Sequence, residues 1–188
     1  MTAQQSIGYI ITASFMLAVI FQFQPHVFYY LKTNMLIEPW RFYSAHFVHV
    51  GWVHLGLNML ALFCLPYIFK QINPKWFLSA LITLPLFLSL IFYWVYPHLM
   101  VYAGFSGVLH GLYALAGIYA LAHPLERKFG YLILVALAIK LIWEGVVDHS
   151  LGTADLIGSP VMIEAHLWGV IGGVLLWAMG HLFIKLTK

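Results

Sequence analysis

Residues 104–122 read GFSGVLHGLYALAGIYALA, a stretch without one charged side chain. Its length approaches the ~20 residues that carry a helix across ~30 Å of hydrocarbon. Lipid cannot satisfy backbone N–H and C=O groups, so a segment immersed in it satisfies them internally, as a helix does. The run differs from an inert span in two places. It opens on a glycine-flanked serine, Ser106, and carries His110 one turn further on. An ionisable side chain inside a span is costly, and points to a buried partner or to a function.

Working outward, five more apolar stretches are found at about 7–23, 50–69, 76–95, 130–147 and 163–184. Of the 188 residues, 63% are hydrophobic and 8% charged, where a soluble domain carries about 25% charged residues. So little charge cannot solvate a surface in water. The prediction is an all-α membrane protein forming one domain over 1–188, a bundle of six spans in the lipid bilayer. The N-terminus has no basic run before its first apolar stretch, so 7–23 reads as a first span and not as a cleaved signal peptide. Cys64, alone of its kind, lies in an apolar run and reads as a small filler.

The pI near 9.0 rests on nine basic against six acidic residues, which reads as loop topology and not as a nucleic-acid surface. With both termini inside, Lys70, Lys75, Arg127, Lys128, Lys185 and Lys188 fall on inner loops, and Lys32 and Arg41 on outer ones. This obeys the positive-inside rule. Residues 24–49 are long for a connection and are expected to form a structured first outer loop. There Trp40, Phe42, Tyr43 and Phe47 suit the membrane interface. Trp40 and Arg41 are expected at the lipid headgroups, and His46 and His49 either face the site from the loop or, as the favoured reading, serve in interfacial packing.

Three spans carry polar residues at their outer ends. His54 and Asn58, four apart, share a helix face in the second span; they read either as bonds to neighbouring helices or as part of a site. Ser106 opens the fourth span. A serine there is either an N-cap or a hydroxyl beside backbone N–H groups that favour negative charge. His166 near the start of the sixth span shares a face with Gly169 and Gly173, as Gly107 and Gly111 share one near Ser106. Small residues at this spacing let membrane helices approach closely, so spans four and six are expected to meet there and bring Ser106 to His166. A serine hydroxyl becomes nucleophilic when a neighbouring base takes its proton. Glu164 lies two residues before His166 and points away from it, so the reading is a Ser–His dyad without an orienting acid. Lys140, Glu144 and Asp148, spaced i, i+4, i+8 in the fifth span, read as an ion-pair face or as a feature of the substrate entrance.

Together these residues resemble the rhomboid family of intramembrane serine proteases. The resemblance rests on Trp40-Arg41 in the first outer loop, His54-x-x-x-Asn58, Gly104-Phe105-Ser106-Gly107, and Ala165-His166 with Gly169 and Gly173, spread over about 37–175. It implies a six-helix bundle with a water-filled site on the outer face, Ser106 as nucleophile and His166 as general base. It further implies His54, Asn58 and the Ser106 backbone N–H as oxyanion donors, Gly104 and Gly107 as parts of the serine motif, and no cofactor or metal. Its substrates would be membrane-anchored proteins. The run Gly104-x-Ser106-Gly107-x-x-His110-Gly111 is similar to the rhombosortase branch. That implies a bacterial inner-membrane enzyme, its site facing the periplasm, that removes a C-terminal Gly-Gly anchor from exported proteins. His110 would either tune the site or bond a neighbouring helix. The rival readings are a general rhomboid with other substrates and a non-catalytic metal or haem protein built on the ten histidines.

Overall fold

A computed structural model of the chain describes residues 1–146 and 153–186; Asp148, His149 and Lys188 lie outside the described residues. In chain order the elements are α1 (Ala3–Gln22), α2 (Pro25–Phe28), β1 (Tyr30–Leu31), α3 (Arg41–Ser44), α4 (Trp52–Ile68), α5 (Pro74–Val95), β2 (Val101–Tyr102), α6 (Ser106–Leu121), α7 (Arg127–Val146), α8 (Thr153–Ile157) and α9 (Ile163–Leu186). The chain is nearly all helical. A two-residue antiparallel ladder, Tyr30 to Tyr102 and Leu31 to Val101, departs from the all-α expectation. It ties the segment after α1 to the approach to α6.

Four helices, α1, α5, α7 and α9, are long and apolar enough to cross a membrane. The other two apolar helices are shorter than the sequence led us to expect, 17 residues in α4 and 16 in α6. At 1.5 Å per residue α6 spans only about 24 Å. Its start is set by Gly104, whose φ of 144° is open to glycine and strained for other residues. The chain thus turns into the helix two residues later than the apolar run begins.

The core lies where α6 meets its neighbours, and most of α6 is buried. Against α9 the contact is glycine on glycine. A methyl group added to Gly107 would sit 2.8 Å from the Ala165 carbonyl oxygen, and one on Gly111 2.7 Å from that of Gly169. Added to Gly169 or Gly173, it would collide with the carbonyls of Gly107 and Gly111. The close approach expected of these four residues is therefore present. A second crossing, which the sequence reading missed, joins α6 to α7: a methyl group on Gly130 would lie 2.7 Å from the Gly117 carbonyl oxygen.

Several loops share one end of the bundle. Gln4 Nε2 donates to the Lys70 carbonyl (2.8 Å) and the Gln71 N–H to Glu126 Oε1 (3.0 Å). The start of α1, the α4–α5 turn and the α6–α7 turn, with Lys70, Lys75, Arg127 and Lys128 in or beside them, therefore lie together. The segment between α1 and α4 packs at the opposite end.

That segment corrects two expectations. Arg41 is buried, not spread on headgroups: Nε donates to Glu38 Oε2 (2.6 Å), and Nη1 to the carbonyls of Tyr29 (2.7 Å) and His26 (3.2 Å). The guanidinium fork serves as an internal staple because its donors match a carboxylate and two carbonyls left free by a short turn. Hydrogen bonds from Arg41 and Asn34 hold the Glu38 carboxyl below its ordinary range. The stability from that pairing is present above the ordinary carboxylate pKa and is lost as pH falls through the lower folded value. His46 and His49 are fully buried as well, not interfacial. Ser89 Oγ gives its proton to the Phe42 carbonyl (2.8 Å), so His46 Nε2–H is the donor to Ser89 Oγ (3.0 Å). Burial pushes both imidazoles down to about 3. Arg41→Ala should cost about 2–3 kcal/mol, chiefly by stranding the His26 and Tyr29 carbonyls. The expected readout is a lower Tm in detergent and faster proteolytic nicking within 24–49.

Candidate active site

α6 begins on Ser106 with Phe105 as its N-cap, and no side chain caps it. The serine is thus not the cap that a helix-start serine commonly is. Its Oγ lies 3.0 Å from His166 Nε2 instead. Ser106 is the first residue of α6 and His166 the fourth of α9, so α6 starts about one turn deeper than its partner. The glycine seam sets this register, since Gly107 meets Ala165 and Gly111 meets Gly169.

His166 is buried and held on three sides. Besides Ser106 at Nε2, it has Glu144 Oε2 2.9 Å from Nδ1, and the His110 ring stacks on its face at 4.0 Å and 13°. The contact with Glu144 corrects the reading of an imidazole without a carboxylate. Glu144 comes from α7 and is 22 positions from His166. Its partnership depends on how α7 crosses α6 and α9, which no local spacing reports. The one visible signal was a carboxylate inside a span. Glu144 also pairs with Lys140, as the i, i+4 spacing predicted.

Among the described residues, the hydrogen bond of His110 lies within its own helix. Its Nδ1 lies 2.7 Å from the Ser106 carbonyl one turn back, so Nδ1–H is the donor and the ring is fixed flat against His166. Gly104 gives room to a different histidine: a methyl group there would be 2.9 Å from His54 Cε1. His54 and Asn58, both on α4, line the same cavity of about 700 Å³ as Ser106, His110, Lys140 and His166. Asn58 Nδ2 donates to the His54 carbonyl (3.0 Å). His54 Nδ1 is buried with no hydrogen-bond partner among the described residues. The His49 ring meets the His54 ring edge-on at 4.9 Å, so of the two readings of His49 the structure favours the one that faces the site.

The cavity runs between α4 and the segment from Ile157 to His166, with Leu137 and Lys140 of α7 on its wall. His110, Glu144 and His166 place ligand-type atoms within 4.8 Å of one another. Most of those donors are already engaged: both Glu144 oxygens, both His166 nitrogens and His110 Nδ1 have partners within the protein. The arrangement is a chain of hydrogen bonds ending on a hydroxyl, not a cage of free donors. What it can do chemically is take a proton from that hydroxyl, next to the uncapped N–H groups of a helix N-terminus.

Compared with known families, residues 37–183 match the model of the rhomboid domain. No curated protein matches the chain.

Proposed function

The chain belongs to the rhomboid family, whose members are intramembrane serine proteases, and from that premise we propose that it is a six-span endopeptidase using Ser106 as nucleophile and His166 as general base. The observation that carries this is the 3.0 Å contact between Ser106 Oγ and His166 Nε2 across the glycine seam.

Ser106 Oγ attacks the scissile carbonyl carbon while His166 Nε2 takes its proton. The oxyanion that forms is met by the Ser106 backbone N–H and by the side chains of His54 and Asn58, which face the same cavity. On collapse the peptide C–N bond breaks and the imidazolium returns the proton to the leaving amine. Water, deprotonated by His166, then attacks the acyl carbon; the bond from that carbon to Ser106 Oγ breaks and the imidazolium returns the proton to Oγ.

Two shorter apolar helices, α4 and α6, packed among the four long ones support six crossings, and the late start of α6 recesses the site at one end. The grouping of the described basic loop residues at the opposite end favours termini inside and a site facing out, the bacterial periplasm in an inner membrane. For substrate we favour proteins held by a C-terminal Gly-Gly, an apolar helix and a basic tail. The Gly-x-Ser-Gly-x-x-His-Gly run supports this branch reading, and His110 stacked on His166 gives its extra histidine a place in the site. Two glycines also leave a helix easily, which exposes the bond to attack.

The test uses purified protein in liposomes. A fluorophosphonate probe should label Ser106, and a Gly-Gly-anchored substrate should be cut at or beside the glycines, but not when they are replaced by leucines. Cleavage of other membrane-anchored proteins with no such preference would leave a general rhomboid protease. Absence of labelling and cleavage, with bound metal or a Soret band, would favour a histidine-rich scaffold.

A further inference from the structure

The carboxylate behind His166 is the feature that a Ser–His pair does not use. Four side chains form a continuous line: Lys140 to Glu144, Glu144 Oε2 to His166 Nδ1 at 2.9 Å, and His166 Nε2 to Ser106 Oγ at 3.0 Å. We propose that Glu144 is a positioning residue for His166, making the site a Ser–His–Glu triad in which Lys140 holds the carboxylate in place. The proposal rests on the reading of Ser106 and His166 as nucleophile and base.

A neutral imidazole ring carries one proton, on Nδ1 or on Nε2. An ionised carboxylate only accepts, so Glu144 at Nδ1 places the proton there and leaves the Nε2 lone pair facing Ser106 Oγ. Without the carboxylate the proton is free to sit on Nε2, where the ring cannot act as a base. His110 does not set the tautomer. It stacks on the ring face, and its own Nδ1–H is directed to the Ser106 carbonyl. Among the described residues, the recorded partners of the His166 ring nitrogens are Glu144 and Ser106.

Charge gives the second part. When Ser106 Oγ loses its proton to Nε2, the ring becomes a cation in a buried place, and an acceptor at Nδ1 stabilises it where water does not. Glu144 can serve only if ionised and fixed. Its side chain is 14% exposed, and that of Lys140 is 42% exposed at the cavity wall. The lysine thus neutralises the acid inside a span while its own ammonium stays partly solvated. Glu144 is also bonded at both oxygens, which sets the plane of its carboxylate. The residue sits on α7, so the Gly117–Gly130 crossing of α6 and α7 takes part in setting the triad.

The test compares Glu144→Gln and Glu144→Asp with the parent and with Ser106→Ala in liposomes, and reads the ring tautomer from ¹⁵N-histidine NMR. Glutamine keeps the shape but can donate to Nδ1. It should lower kcat by about 10²- to 10⁴-fold, leave KM within about twofold because substrate binding is untouched, and move the proton to Nε2. Aspartate keeps the charge on a shorter arm and should recover at least about tenfold over glutamine. Glutamine within about threefold of the parent, or glutamine and aspartate equally impaired, overturns the proposal while inactive Ser106→Ala keeps the protease reading. Activity surviving in Ser106→Ala removes that reading instead. If Glu144→Gln fails to fold, the parent spectrum decides: a proton on Nδ1 supports the triad, and one on Nε2 overturns it.

Discussion

Alanine at Ser106 or at His166 should each bring cleavage down by about 10⁴-fold or more, to background, while the protein stays folded in the membrane. The serine hydroxyl is the group that would form the acyl bond, so Ser106→Ala removes the reaction pathway. His166→Ala leaves the hydroxyl in place without the imidazole that takes its proton at 3.0 Å, and a protonated alcohol attacks an amide poorly. Because the two act as one unit, the double variant should be no slower than either single one. Fluorophosphonate labelling of Ser106 should vanish in His166→Ala for the same reason. Unaltered Tm values would show that chemistry, not folding, was lost. A single variant with near-parent turnover would remove the assignment.

The second large effect lies away from the reacting groups. Gly169→Val or Gly173→Val should destabilise the protein by about 3 kcal/mol or more and abolish activity. Each added side chain is aimed at a backbone carbonyl of α6, that of Gly107 or Gly111. Backbone cannot change rotamer to make room, so the helices separate, and overpacking of a tight contact costs about 1–3 kcal/mol even where side chains can shift. Separation by about 1 Å is enough to lose about 100-fold in rate, because the 3.0 Å contact spans this seam. Thermal unfolding in detergent and single-turnover cleavage would separate the two losses. Gly56→Val is the matched control, since an added methyl group at Gly56 has no neighbour within 4 Å; it should behave as the parent. Full activity and unchanged Tm in Gly169→Val would mean that the seam is not what sets the site.

Much of this was legible in the chain order of residues. An uncharged run as long as 104–122 reports a setting without water, because there a single segment satisfies its own backbone groups as a helix. The glycine pairs of spans four and six mark a face by their spacing, and Ser106 and His166 lie beside it. Where the reading failed, the side chain's partners came from other elements. Arg41 has the charge and flanking aromatics of an interfacial anchor, yet it turns inward to carbonyls 12 and 15 positions earlier. His46 and His49 look like interfacial residues and are core, because α5 and α4 close over them.

Local pattern therefore settled the membrane environment, the helical class and the face on which α6 and α9 meet, since each depends on composition or on a period of a few residues. The partner of His166 Nδ1 was beyond it. Glu144 is one of several carboxylates in the chain, and nothing within a turn of it indicates an imidazole. Only the crossing of α7 over α6, through Gly117 and Gly130, decides which way that carboxylate faces and hence whether the base stands alone or has an acid behind it. A crossing angle is a property of two surfaces in contact, and neither helix carries it by itself.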